Sequence, residues 1–217
     1  MEAYVAAGSD PFLARLVKHE GRALKKFDLP DAATANAAKA AVHGAGFKVV
    51  SVEKKPGRRF PQPPFTTSTL QQEAARKLGF SAQRTMQAAQ RLYEGVDENG
   101  GLITYMRTDG VQAAPEAIAE TRMIIADRYG KAYVPEAPRI YKTKAKNAQE
   151  AHEAIRPTAL SRHPDSLRLE GDLARLYDLV WKRMMASQME AARVERTTID
   201  LDTVSYTHLT LPTIYSV

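Results

Sequence analysis

An α+β protein with a discontinuous β part is what this sequence predicts, and three observations predict it. Short apolar-polar alternations of the strand type run from Phe12 to Leu29, and a strand pattern returns at Thr197–Leu201. Between them, from residue 64 to residue 191, apolar residues recur at helical spacing. A run with four prolines and a glycine, Pro56 to Pro64, separates the two characters and reads as a linker. The pattern is therefore a mainly helical unit, 64–191, inserted in a β-rich unit made of residues 1–63 and a return strand at 192–203.

Each element has its own signal. Phe12-Leu-Ala-Arg-Leu-Val and Arg22-Ala-Leu, separated by Glu20-Gly21, form a hairpin signature. Asp31 opens an Ala-rich stretch to His43, with Asp as N-cap and Gly44 as C-cap. Phe47 to Lys54 follows as a strand. Beyond the linker, Ser68 precedes a helix from Thr69 to Leu78 with Leu70, Ala74, Ala75 and Leu78 on one face, and Gly79 stops it. Ser81 caps the next helix, which ends near Gly95. Pro115 stands in the first turn of a helix reaching Arg128. Ala148 to Arg156 has the pattern of a short helix halted by Pro157. Asp172 to Ala191 is a long amphipathic helix around Leu173, Leu176, Leu179, Val180, Met184 and Met189.

Composition narrows the classes. With 44% hydrophobic and 26% charged residues, the 217-residue chain has the balance of a folded globular protein. It has no apolar run near the ~20 residues a membrane helix needs, and no signal-peptide pattern at its start. The absence of cysteine excludes disulfides and thiolate metal sites and fits a reducing cytoplasm. A net charge of +6 and a pI near 9.5, with a cluster at Lys54, Lys55, Arg58 and Arg59, favour a polyanionic partner.

The end of the chain reads differently. Val204-Ser-Tyr-Thr-His-Leu-Thr-Leu-Pro-Thr213 resembles the in-frame translation of a transposon-end sequencing adapter, so residues 204–217 are expected to be a non-native tail. On that reading the natural protein continues past Thr203, and Met1 is an internal or false start. The plainer alternative is a real strand, since Thr, Leu, Tyr and Val favour strands.

Three segments could carry chemistry. In Leu102-Ile-Thr-Tyr-Met-Arg-Thr-Asp-Gly110, strand propensity places Tyr105 and Arg107 on one side of an extended segment, before an Asp109-Gly110 turn. A tyrosine hydroxyl attacks phosphorus when nearby positive charge stabilises the developing negative charge, and the planar fork of arginine suits two phosphate oxygens. A tyrosine at a strand end is also an ordinary packing residue. In Gln149-Glu-Ala-His-Glu-Ala-Ile-Arg-Pro157, a helix would put His152 and Arg156 on one face, with Gln149 a turn back. His152-Glu153 lacks the second histidine of a zinc peptidase, so that chemistry is excluded. A capped surface helix is the plainer reading. In Pro64-Phe-Thr-Thr-Ser-Thr-Leu-Gln-Gln72, four hydroxyl residues before a helix offer a phosphate seat, or merely a polar N-cap.

Taken together, four blocks resemble the bacterial type IA DNA topoisomerases in order and spacing. They are Phe65-Thr-Thr-Ser-Thr-Leu-Gln-Gln, Ala89-Gln-Arg-Leu-Tyr-Glu-Gly, Ile103-Thr-Tyr-Met-Arg-Thr-Asp and Glu150-Ala-His-Glu-Ala-Ile-Arg-Pro. A weaker similarity extends over residues 1–203. Met106 after the tyrosine is similar to topoisomerase I rather than topoisomerase III, and Gly110 replaces a common serine.

The resemblance implies a helical gate domain at 64–191 within a β-rich arch. It implies ATP-independent relaxation of negatively supercoiled DNA through single-strand cleavage, a 5′-phosphotyrosine intermediate, strand passage and religation. Tyr105 would be the nucleophile and Arg107 the cation at the scissile phosphate, with Asp109 and His152 as a polar pair beside them. Thr66, Thr67, Ser68, Thr69, Gln72, Thr108, Glu153 and Arg156 would meet single-stranded or underwound DNA. Mg²⁺ is implied on the carboxylates of a Toprim domain that this chain lacks, because the only Asp-x-Asp, Asp200-Leu-Asp202, has no third acid after it. A fragment without that half is expected to be inactive alone. The resemblance further implies a monomer without small-molecule cofactor or membrane partner, in the bacterial cytoplasm with the nucleoid. The alternative from the residues is a non-catalytic module that binds single-stranded nucleic acid through charge and stacking aromatics.

Overall fold

The structure, a computed structural model, describes residues 2–7, 10–19, 21–25, 27–43, 45–96, 100–142, 153–203, 207–210 and 214–216. The chain divides into two compact units, residues 1–59 with 192–217 and residues 60–191. The class is α+β, as the periodicities predict.

The first unit is an antiparallel sheet with one helix. Its strands are β1 (Glu2–Ala7), β2 (Asp10–His19), β3 (Arg22–Ala23), β4 (Phe47–Arg59), β5 (Ala192–Thr203), β6 (Thr207–Thr210) and β7 (Ile214–Ser216), and its helix is α1 (Ala32–Val42). The order is β1-β2-β6-β5-β4, with β3 on β2 and β7 on β5. The hairpin expected at Glu20-Gly21 forms: Lys18 faces Ala23 and His19 faces Arg22, and Gly21 takes φ +77°, open to a residue without Cβ. Asp31 caps α1, its carboxylate accepting the Thr34 N–H at 2.8 Å. The expected C-cap, Gly44, lies outside the described residues. Val5, Ala14, Leu16, Ala38, Val42 and Leu201 form a small core between sheet and helix.

Several boundaries differ from expectation. The expected linker at Pro56 is still strand, because β4 runs on to Arg59 with Pro56 opposite Glu195. An edge strand can hold a proline whose missing N–H would face solvent. The return strand is longer than Thr197–Leu201 and spans Ala192–Thr203. Strand β1 had no clear alternation to announce it. The segment expected to be foreign holds β6 and β7, which pair with β2 and β5. Threonine- and leucine-rich chain beside open backbone edges suffices for such pairing whatever its origin.

The second unit is helical: α2 (Thr67–Leu78), α3 (Ala82–Glu94), α4 (Pro115–Arg128) and α5 (Gly171–Ser187), with short 3₁₀ turns at Lys131–Tyr133 and Pro164–Ser166. Helices α3 and α4 start and stop where the caps predict. Helix α2 starts two residues early, with Thr66 as N-cap in a reciprocal capping box with Thr69. Helix α5 stops before the expected Ala191. Buried Gln188 turns aside there to bond the Arg139 backbone, accepting its N–H at 3.1 Å and donating to its carbonyl at 3.0 Å.

The inner face of α5 carries Leu173, Leu176, Tyr177, Val180, Trp181 and Met184 into a core shared with Phe65, Leu70, Phe80, Leu92, Ile103 and Met106. The two polar rings are satisfied within it. Trp181 Nε1 donates to the Leu160 carbonyl at 2.9 Å, and the Tyr177 hydroxyl donates to the Arg162 carbonyl at 2.7 Å.

One predicted helix is corrected. Residues 153–156 are not helical, and Ile155 forms a β-bridge with Phe65. The Ala154 and Ile155 amides donate to Gln112 and Phe65 carbonyls rather than to a preceding turn. Buried Ala154 and Ile155 serve this long-range pairing. The helical face expected for His152 and Arg156 is therefore not formed at its Arg156 end, and residues 148–152 lie outside the described residues.

Candidate active site

The segment from Leu102 to Thr108 is held from both sides by backbone bonds. The Leu102 N–H donates to the Leu92 carbonyl at 2.7 Å, and the Thr158 N–H donates to the Leu102 carbonyl at 3.0 Å. Thr104 zips onto the 154–156 strand-like stretch. Its N–H donates to the Arg156 carbonyl, and its hydroxyl donates to the Ala154 carbonyl and accepts the Arg156 N–H. The expected strand is reduced to a single bridge, Ile103 to Pro157. Alternation survives without a sheet: Tyr105 and Arg107 are exposed while Met106 and Thr108 are buried.

Thr67, the first residue of α2, closes the other side. Its hydroxyl donates to the Met106 carbonyl at 2.7 Å and accepts the Thr108 N–H at 2.9 Å, while its own N–H donates to the Thr108 carbonyl at 2.9 Å. One threonine thus fixes the backbone on both sides of Arg107. The Thr108 hydroxyl accepts the Gly110 N–H at 2.9 Å, so a hydroxyl turn stands where Asp109-Gly110 was expected to turn the chain.

Approach from α3 depends on two glycines. A Cβ on Gly101 would sit 2.3 Å from the Tyr93 carbonyl oxygen, and one on Gly95 would sit 2.8 Å from the Gly100 backbone. Gly95 also takes φ +96°. This close return brings Tyr93 against Tyr105, edge to face at 5.3 Å between ring centroids. Tyr105 remains 48% exposed and Tyr93 40%. The pinned backbone fixes where the ring leaves the chain, while its face stays open to a partner.

The other residues singled out by sequence fall into groups. Thr66 and Thr69 satisfy each other through the capping box, and the Thr66 hydroxyl lies 3.2 Å from that of Ser68. Ser68 and Gln72 are exposed on α2. Glu153 and Arg156 form a two-point ion pair at 2.6 and 3.0 Å. Arg156 also donates to the Pro157 carbonyl, and Glu153 accepts the Ala114 N–H at the start of α4. The carboxylate therefore ties the 153–157 stretch to the start of α4, with the guanidinium held against it. Asp109 is exposed. His152 lies outside the described residues.

Sequence reasoning missed Tyr93, the staple made by Thr67, and a groove. The groove, of about 1180 Å³, runs between α3 and the stretch leading into α5, and Arg107 lines it together with Arg84, Arg91 and Arg168. Arg84 is paired at two points with Asp172, at 2.6 and 2.7 Å, and that hydrogen bonding holds the Asp172 carboxyl below the usual carboxylate range. Among the described residues no three acidic or histidine side chains gather to hold a metal ion, so the implied Mg²⁺ has no fitting site on them. No described helix is long and apolar enough to cross a membrane.

An exposed tyrosine on a pinned backbone beside a basic groove is equipped to handle a phosphate polyanion. Comparison with known proteins assigns the lineage. A family model described as DNA topoisomerase matches residues 11–212. The chain is 56% identical over 201 residues to DNA topoisomerase 1 of Zymomonas mobilis, which covers 93% of this chain and 16% of that protein. It is 53% identical over 189 residues to DNA topoisomerase 1 of Rickettsia felis, covering 85% of this chain and 24% of the relative. The solved structure of full-length topoisomerase I from Thermotoga maritima superposes with a TM-score of 0.70 at 34% identity, over 94% of this chain and 32% of that one. The chain belongs to the bacterial type IA DNA topoisomerase family. It spans between a sixth and a quarter of the length of these two curated relatives.

Proposed function

We propose that this chain supplies the strand-cleaving tyrosine of an ATP-independent type IA topoisomerase that relaxes negatively supercoiled DNA, and that it does not cleave alone. The observation that carries the reading is Tyr105, exposed on a backbone pinned by Thr67 and Thr104, two residues before a solvent-facing arginine. In the reaction the Tyr105 hydroxyl loses its proton and attacks the phosphorus. The P–O3′ bond breaks as the P–Oη bond forms, and the departing 3′ oxygen takes up a proton. One phosphodiester replaces another, so reversal by the 3′ hydroxyl needs no ATP. Arg107 stabilises charge on the non-bridging oxygens.

In this reading residues 60–191 form the moving gate and the sheet unit forms part of the arch that carries it. The substrate is single-stranded or underwound DNA, and the whole enzyme is a nucleoid-associated cytoplasmic monomer with no small-molecule cofactor. When bound to carboxylates outside this chain, Mg²⁺ would supply further charge neutralisation at the phosphate.

The test replaces the matching segment of an intact relative with residues 1–203. The chimera is incubated with Mg²⁺ and a 3′-labelled single-stranded oligonucleotide, then quenched in detergent. Label shifted to the protein, and lost with Tyr105→Phe, is the expected result. A folded chimera that binds DNA and never captures label would overturn the catalytic reading in favour of a binding module.

A further inference from the structure

The groove that Arg107 opens into extends beyond what strand cleavage itself uses. Its lining carries four arginines against two acids, Glu170 and Asp172. Arg84 is neutralised by Asp172 and lies over the Phe80 ring at 4.5 Å. Arg91, Arg107 and Arg168 are exposed and have no carboxylate partner among the described residues. Unpaired like charges sharing one concavity repel each other and focus a positive field into it. A phosphodiester chain supplies the missing charge at regular intervals, and partly buried Met86 and Leu169 give the groove an apolar wall for sugars and bases.

The direction of the strand follows from the chemistry. After cleavage the 5′-phosphate end is joined to Tyr105 and so stays with this unit, while the 3′-hydroxyl end has no covalent tie to it. Cations within the same unit, reached through Arg107, are placed to hold the attached end while the gap is open. We propose that Arg91 and Arg168, continuing from Arg107, form a track for the backbone of the single-stranded segment that begins at the Tyr105-linked 5′-phosphate. The proposal rests on the catalytic reading of Tyr105 above, which fixes the strand polarity.

The test uses the 217-residue chain and a short fluorescent oligothymidylate, with anisotropy measured over a range of salt concentrations. Arg91→Ala and Arg168→Ala should each lower the slope of log K against log salt by about 0.7, the value for one phosphate contact on a single strand. Arg91→Lys and Arg168→Lys should keep the slope, which separates charge from shape. Lys77→Ala on α2, outside the groove, should leave it unchanged. An oligonucleotide with a 5′-phosphate should bind more tightly than one with a 3′-phosphate, and Arg107→Ala should remove that preference. Slopes unchanged in both alanine variants would overturn the track, and a preference for the 3′-phosphate would overturn its polarity. Both side chains are exposed, and melting curves that match the parent chain show that the fold is kept. The trapping experiment decides the catalytic reading separately. Captured label with unchanged slopes rejects the track alone, whereas altered slopes without captured label reject the chemistry and leave a binding groove.

Discussion

In the sheet unit, β4 is paired with β5 from Phe47 to Arg59, yet every β4 side chain after Phe47 is exposed, including Val49, Val50 and Val52. In the helical unit, α5 buries nine of its residues, eight of them in one continuous hydrophobic core. The first region is held mainly by its backbone ladder and the second mainly by its side chains. The pinned segment around Tyr105 belongs to the second, where Thr67 and Thr104 anchor it to well-packed elements. Under the proposed reading Tyr105 has to meet a phosphate in a defined geometry, and a backbone pinned to a packed unit supplies that positioning.

The largest effect that would break this contrast is expected from Trp181→Ala. It removes the largest fully buried side chain and its bond to Leu160, and should cost about 3–5 kcal/mol. Hydrogen exchange should show protection lost in α2, α3 and α5 but kept where β1 pairs with β2; uniform loss would show that the two regions do not differ as argued.

Next comes alkaline pH. Burial pushes the Tyr177 hydroxyl from 10.0 up to about 12. A raised folded pKa means that stability is fully present below pH 10 and is lost as pH rises through about 12. The helical unit should therefore melt at lower temperature across that window, and Tyr177→Phe should flatten the dependence. An equally steep dependence in the phenylalanine variant would assign it to other groups.

Thr67→Val should cost about 1–3 kcal/mol by leaving the Thr108 N–H and Met106 carbonyl without their hydroxyl partner. Its effect on strand capture in the chimera should exceed its effect on melting, and Thr67→Ser should restore both. Loss of stability with unaltered capture would mean that the staple does not position the tyrosine. The smallest change is expected from Val52→Thr on β4, within about 0.5 kcal/mol, because that side chain is 55% exposed.

Much of this architecture is legible locally. Asp31, Ser81 and Pro115 mark helix starts because a cap is a matter of three or four neighbouring residues. The errors arise where distant chain decides. At the described end of the expected Ala148–Arg156 helix, the Ala154 and Ile155 amides go to the Gln112 and Phe65 carbonyls rather than to a helical turn. Pro56 reads as a break until its position on an edge strand is known. At the site, Tyr105 and Arg107 were readable as chemistry-bearing types. The role of Thr67 spans about forty positions and has no local signature. Arg156, placed by the sequence on a helical face with His152, is instead engaged by Glu153 and the Pro157 carbonyl.

Because Tyr93 lies edge to face with Tyr105 and both are exposed, the most direct measurement of the proposed chemistry asks whether Tyr105, and not Tyr93, captures DNA. The trapped chimera would be digested with nuclease and trypsin. The peptide spanning residues 92–107, which contains both tyrosines, would then be fragmented in a mass spectrometer. A nucleotide joined through phosphate to Tyr105 is the predicted result. The same adduct on Tyr93 would contradict the account, because the pinned backbone would then be presenting the wrong ring.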